Sequence, residues 1–104
     1  MVEITEEFPI GADKLLQAVT RACSNIGYSV TKSDPTVRRL KVSTGMSLFS
    51  YGEELEVVVS PKNQSQSVLY IEAKPRAWFN VTSNPSGAVT NLLEKVKVEC
   101  GISK

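Results

Sequence analysis

Between Ala12 and Ile26 the apolar residues Ala12, Leu15, Leu16, Val19, Ala22, Cys23 and Ile26 recur at intervals of three and four, and on either side of that run the interval drops to two. A period near 3.6 marks a helix with one buried stripe, and a period of two marks a strand with one buried face. A chain that switches period in this way must bring its helix stripe and its strand faces onto a shared apolar layer. Ahead of the helix, Val2, Ile4 and Phe8 alternate with Glu3, Thr5 and Glu7, and Glu6 is the one break in the apolar set. Pro9 and Gly11 end this strand, and Gly27 supplies the left-handed residue that closes the helix.

Beyond Gly27 the period of two returns in Tyr28 and Val30, up to a turn at Asp34-Pro35. A strand from Val37 to Thr44 sets Leu40 and Val42 against Arg39 and Lys41. A third sets Leu55, Val57 and Val59 against Glu54, Glu56 and Val58, ending at Ser60-Pro61, with Lys62 to Gln66 as a polar hairpin loop. Ser67 to Ala73 points Leu69 and Ile71 inward, while Val68 and Tyr70 make its outer face more apolar than usual. Residues 74–82, interrupted by Pro75, are expected to form a further strand. Asn84-Pro85 caps and opens a second helix with Val89, Leu92, Leu93, Val96 and Cys100 on one face, and Gly101 ends it.

Strands joined by short links pair antiparallel, and two helices with one apolar stripe each cover one face of the sheet. The expected fold is therefore α+β: an antiparallel sheet of four to six strands with two helices packed on one face, in the order β-α-β-β-β-β-(β)-α. Residues 1–104 are expected to form one domain, a length that encloses a core without disulfides or metal. Cys23 and Cys100 are expected as buried thiols, with a helix-linking disulfide or a reactive site as alternatives.

Composition restricts function. With 12 basic and 11 acidic side chains the net charge is +1, too small a field to gather a polyanion or an acidic membrane surface. No apolar run approaches the ~20 residues that span a bilayer, so no transmembrane segment is expected, and the acidic, alternating N-terminus does not resemble a signal peptide. A cytoplasmic location is the expectation.

The chain contains no histidine, which removes imidazole-assisted nucleophiles and histidine zinc sites. Glu54 and Glu56 share one strand face and are the candidates for acid–base catalysis, against a reading in which they pair with Arg39 and Lys41 on the neighbouring strand. Gly45 and Gly52 match neither phosphate-binding fingerprint. Lys32, Arg39 and Lys41 are the candidates for weak nucleic-acid binding, but Arg38 points away from them and nucleic acid is not favoured. No catalytic activity, cofactor or metal is expected.

One stretch does not fit a polar link: Thr44-Gly45-Met46-Ser47-Leu48-Phe49-Ser50-Tyr51-Gly52-Glu53. Met46, Leu48, Phe49 and Tyr51 either fold back to close one end of the core or form a contact surface, where methionine and aromatic residues are favoured. Trp78 and Phe79 pose the same choice, since neighbours on a strand face opposite ways. The expected binding residues are Met46, Leu48, Phe49, Tyr51 and Trp78, serving a protein partner, a homodimer or an apolar small ligand. This stretch, with Gly27-Tyr28-Ser29-Val30 and the strands that follow, resembles small uncharacterised prokaryotic domains of strand-helix-strands-helix layout. These are similar to the helix-grip domains of bacterial envelope lipoproteins. The resemblance implies a binding or scaffolding role; the lipobox cysteine of such lipoproteins is absent.

Overall fold

The computed structural model describes residues 2–44, 53–75 and 85–101. Its elements are β1 (Val2–Phe8), α1 (Ala12–Asn25), β2 (Ser29–Asp34), β3 (Arg39–Ser43), β4 (Glu53–Asn63), β5 (Gln66–Pro75) and α2 (Pro85–Glu99). The five strands form one antiparallel sheet in the order β1-β5-β4-β3-β2. Strands β2 to β5 form a meander of neighbours, and β1 closes the far edge beside β5.

Both helices lie on one face of this sheet, as the single stripes require. Leu40 and Val42 on β3, Leu55, Val57 and Val59 on β4, and Leu69, Ile71 and Ala73 on β5 are buried beneath them. Leu15, Val19, Ala22 and Cys23 come down from α1, and Val89, Leu92, Leu93 and Val96 from α2. The helices are joined at the surface through Glu99, whose carboxylate accepts from Asn25 Nδ2 at 2.7 Å and Arg21 Nε at 3.3 Å. At the end of α1, Gly27 takes φ +81°, and the Tyr28 amide then donates to the Cys23 carbonyl at 2.8 Å, closing the helix by the left-handed route.

Glu6, the break in the apolar alternation, occupies a helix-facing position opposite Leu69. Its carboxylate lies 2.9 Å from Lys97 Nζ on α2, so the charge is matched where the edge strand meets the helix. The hydrogen bond to Glu6 raises the Lys97 pKa above its ordinary value.

Three boundaries differ from expectation. The strand expected from Val37 begins at Arg39, because the Asp34 carboxylate accepts the Thr36 amide at 3.2 Å and Arg38 takes φ +55°, extending the turn through residues 35–38. The loop expected over Lys62 to Gln66 contracts to Gln64-Ser65, and β4 runs on through Pro61. A register shift between Pro61 and Asn63 absorbs the proline, which has no amide hydrogen to give to a ladder. Asn63 Oδ1 then accepts the Ser65 amide at 2.9 Å to close the turn. Lys74 and Pro75 end β5, while residues 76–82 of the expected further strand lie outside the described residues.

Candidate functional site

The expected binding residues Met46, Leu48, Phe49, Tyr51 and Trp78 lie outside the described residues; the frame that carries them is described. Ser43, the last residue of β3, pairs with Glu54, and Glu53, the first residue of β4, pairs with Pro75, the last of β5. The link 44–53 and the link 75–85 therefore leave the same end of the sheet from adjacent strands.

The candidate acid–base pair, Glu54 and Glu56, lies on the sheet face opposite the helices. Both are half-buried. Glu56 stands opposite Lys41 on β3 and Glu72 on β5, with Arg39 Nη1 at 3.9 Å. The hollow beside them, lined by Lys41, Glu54, Leu55, Glu56 and Glu72, holds about 80 Å³, room for a few waters rather than a substrate. Further along, the Tyr70 hydroxyl lies 2.9 Å from Glu3 Oε2 and 3.1 Å from Glu72 Oε2. Those two carboxylates hold the phenol protonated, raising its pKa well above the ordinary value. Among the described residues no group of three or more His, Cys, Asp or Glu is arranged to hold a metal ion.

The candidate basic residues Lys32, Arg39 and Lys41 do come together, around a 300 Å³ depression over β2 and β3 that Asp34, Val37 and Glu56 also line. Arg38 turns toward α1, where its Nε lies 3.0 Å from Asp13 Oδ1. The cations are thus interrupted by Asp34 and bordered by Glu56, a poor match to a continuous phosphate backbone.

A further hollow was not expected from sequence. It holds about 730 Å³ at the far end of the molecule, bounded by Pro9 to Lys14, Arg38 and the β4–β5 turn. Gly11 marks the place: a Cβ at this position would sit 3.1 Å from the Gln64 carbonyl oxygen, tighter than ordinary contact, so glycine eases the close approach of the helix start and the turn. A shallower groove of about 330 Å³ runs between Ile26, Tyr28 and Val98. The two cysteines are free thiols, Cys23 buried in α1 and Cys100 half-buried just past α2. Burial pushes the Cys23 thiol up to about 11.

Neither a family model nor a curated protein sequence matches this chain. Solved structures do match it. Norcoclaurine synthase from Thalictrum flavum, in complex with dopamine and hydroxybenzaldehyde, superposes with a TM-score of 0.63 at 10% identity, over 99% of this chain and 87% of that one. A START superfamily protein from Mycobacterium smegmatis gives 0.60 at 12% identity, over 97% and 95%. The Zhui aromatase/cyclase from a Streptomyces species gives 0.50 at 13% identity, over 97% and 86%. These are helix-grip proteins, and at such identity the likeness shows that this chain has the helix-grip fold. The three lend no support to the envelope-lipoprotein part of the resemblance.

Proposed function

We propose that this chain is a non-enzymatic binding module that holds an apolar small ligand at the end of the sheet from which the two aromatic links depart. The observation that carries this reading is the pairing of Glu53 with Pro75, which starts both links from adjacent strands. Met46, Leu48, Phe49 and Tyr51 on one link and Trp78 on the other supply the apolar contacts. The neighbour that holds dopamine and hydroxybenzaldehyde supports it, since a frame of the same fold accommodates small aromatic molecules. Binding in place of catalysis is favoured by the arrangement of Glu54 and Glu56, which face a solvated charged surface where Lys41 stands opposite Glu56 and Arg39 Nη1 lies 3.9 Å from it.

Trp78 is the sole tryptophan, so its fluorescence reads the site directly. Titration with an apolar naphthalene probe is expected to shift Trp78 emission, and Phe49→Ser to weaken the probe by roughly tenfold, the loss that follows removal of one buried aromatic contact. Probe binding that leaves Trp78 unmoved and ignores Phe49→Ser would overturn the assignment. A protein partner or self-association through the same stretch is the second reading; it predicts concentration-dependent sedimentation that Phe49→Ser abolishes and salt does not.

A further inference from the structure

The face of the sheet opposite α1 and α2 carries an ordered charge pattern that the binding reading does not use. In register across the five strands, one row runs Lys32, Lys41, Glu56, Glu72, Glu3 from β2 to β1. The next row runs Asp34, Arg39, Val58, Tyr70, Thr5. In these two rows the cations Lys32, Lys41 and Arg39 stand on β2 and β3 and the carboxylates Glu72 and Glu3 on β5 and β1, with β4 as the dividing line and Asp34 as the one acid on the basic side. We propose that this face is a self-complementary docking surface for a second copy of the chain, stacked sheet on sheet about a two-fold axis that lies parallel to the strands above β4.

The pattern selects that axis. A two-fold along the strands turns each row end for end, which lays Lys41 over Glu72 of the second copy and Lys32 over its Glu3. In the next row Arg39 comes over the Tyr70 ring, a cation–π pairing, and Val58 meets Val58 at the centre. A two-fold across the strands would lay acid on acid and base on base. On the chosen axis Glu56 approaches its own counterpart, and Arg39 of each chain, 3.9 Å from Glu56, supplies the balancing charge. The 300 Å³ depression over β2 and β3 lies where the rotation delivers Tyr70 and Glu72 of the other copy.

Area and net charge permit the contact. Five strands about 4.8 Å apart and about 17–30 Å long present roughly 400–700 Å² per copy, so the pair reaches the lower end of what specific interfaces bury, ~1,000 Å². At net charge +1 two copies repel little overall. An interface of this size whose contacts are mostly exposed ion pairs is weak and strongly salt-dependent.

The test is sedimentation equilibrium of the wild-type chain and of the variants Lys41→Glu and Glu72→Lys, each first shown folded by circular dichroism. Wild type is expected to dimerise at about 20 mM NaCl and to dissociate at about 500 mM, where the screening length falls to a few ångströms. Each reversal alone places like charges in contact twice per dimer and is expected to weaken association by roughly tenfold or more. In an equimolar mixture of the two variants, the introduced glutamate of one chain faces the introduced lysine of the other, and the unaltered Lys41 faces the unaltered Glu72. Both pairs are regained, and the mixture is expected to form a heterodimer about as tight as wild type. A monomer at every salt concentration, a dimer indifferent to salt, or a mixture no better associated than its components would each overturn the proposal. Phe49→Ser, which tests the ligand site, is expected to leave this association unchanged, so the two readings fail separately.

Discussion

Val57 and Val58 are neighbours on β4 with the same side chain, yet Val57 is sealed beneath the helices while Val58 stands half-buried between Arg39 and Tyr70. The helix side of the sheet is apolar across its middle, and Glu6, a charge on that side, sits on the edge strand with Lys97 as partner. The other side is a lattice of charges with a few apolar residues set among them. Burial decides what each face tolerates. The inner face is constrained by volume and by the cost of stranding a polar group, and the outer face by the order of its charges. The inner face accordingly reports the fold, and the outer face reports what the fold is available to meet.

The sharpest way to break this contrast is to truncate a side chain at the centre of the inner face. Leu55→Ala and Leu92→Ala each remove a fully buried leucine and are expected to cost about 2–5 kcal/mol in urea unfolding, whereas truncations on the outer face should fall far below that. A smaller effect comes from pH. Cys23 is fully buried and its thiol is raised from 9.0 to about 11 in the fold. Below pH 9 the thiol is protonated in both states and its full contribution is present. As pH rises from 9 toward 11 the unfolded chain ionises Cys23 while the folded one resists, so stability is lost across that window, by roughly 2–3 kcal/mol at its upper end. Unfolding curves at pH 8 and about pH 10.5 should show a steeper alkaline loss for wild type than for Cys23→Ala; equal losses would mean the thiol is open to solvent in the fold. The subtlest comparison uses one substitution twice. Val57→Thr places a hydroxyl in the core at a cost of about 1–3 kcal/mol, and Val58→Thr should change stability by less than about 0.5 kcal/mol.

The parts of the fold legible in the sequence are those written in local spacing. The stripe from Ala12 to Ile26 became α1, Gly27 took the left-handed conformation, Asp34 bonded the Thr36 amide as a turn aspartate does, and the two helices share one face of an antiparallel sheet. What spacing did not convey was pairing between distant segments. Nothing near Val2–Phe8 announces that its neighbour is Gln66–Pro75, and nothing near Glu6 announces Lys97, because both contacts depend on how the sheet closes rather than on any local period. Pro61 misled for a related reason: a proline reads as a strand end until the bulge that accommodates it is visible. Of the candidate functional residues, Lys32, Arg39 and Lys41 do share one surface, and Glu56 does lie against Arg39, but the acidic half of that face comes from β5 and β1, remote in sequence from the cations. Met46, Leu48, Phe49, Tyr51 and Trp78 lie on the two links outside the described residues, where only their anchoring at one end of the sheet is fixed.

The position of β1 beside β5 also sets a timetable for synthesis. A ribosome making this chain releases Val2–Phe8 well before Gln66–Pro75 exists to receive it, a delay of several seconds at about 5–20 residues per second. During that interval β2, β3 and β4 can zip together from adjacent hairpins, since their contacts are short in sequence. Phe8 and Ile4 must wait in the open until β5 emerges. The strand made earliest is thus docked last, and the nascent chain is most vulnerable to a chaperone, a protease or a strand from another copy while that slot at the edge of β5 stays vacant.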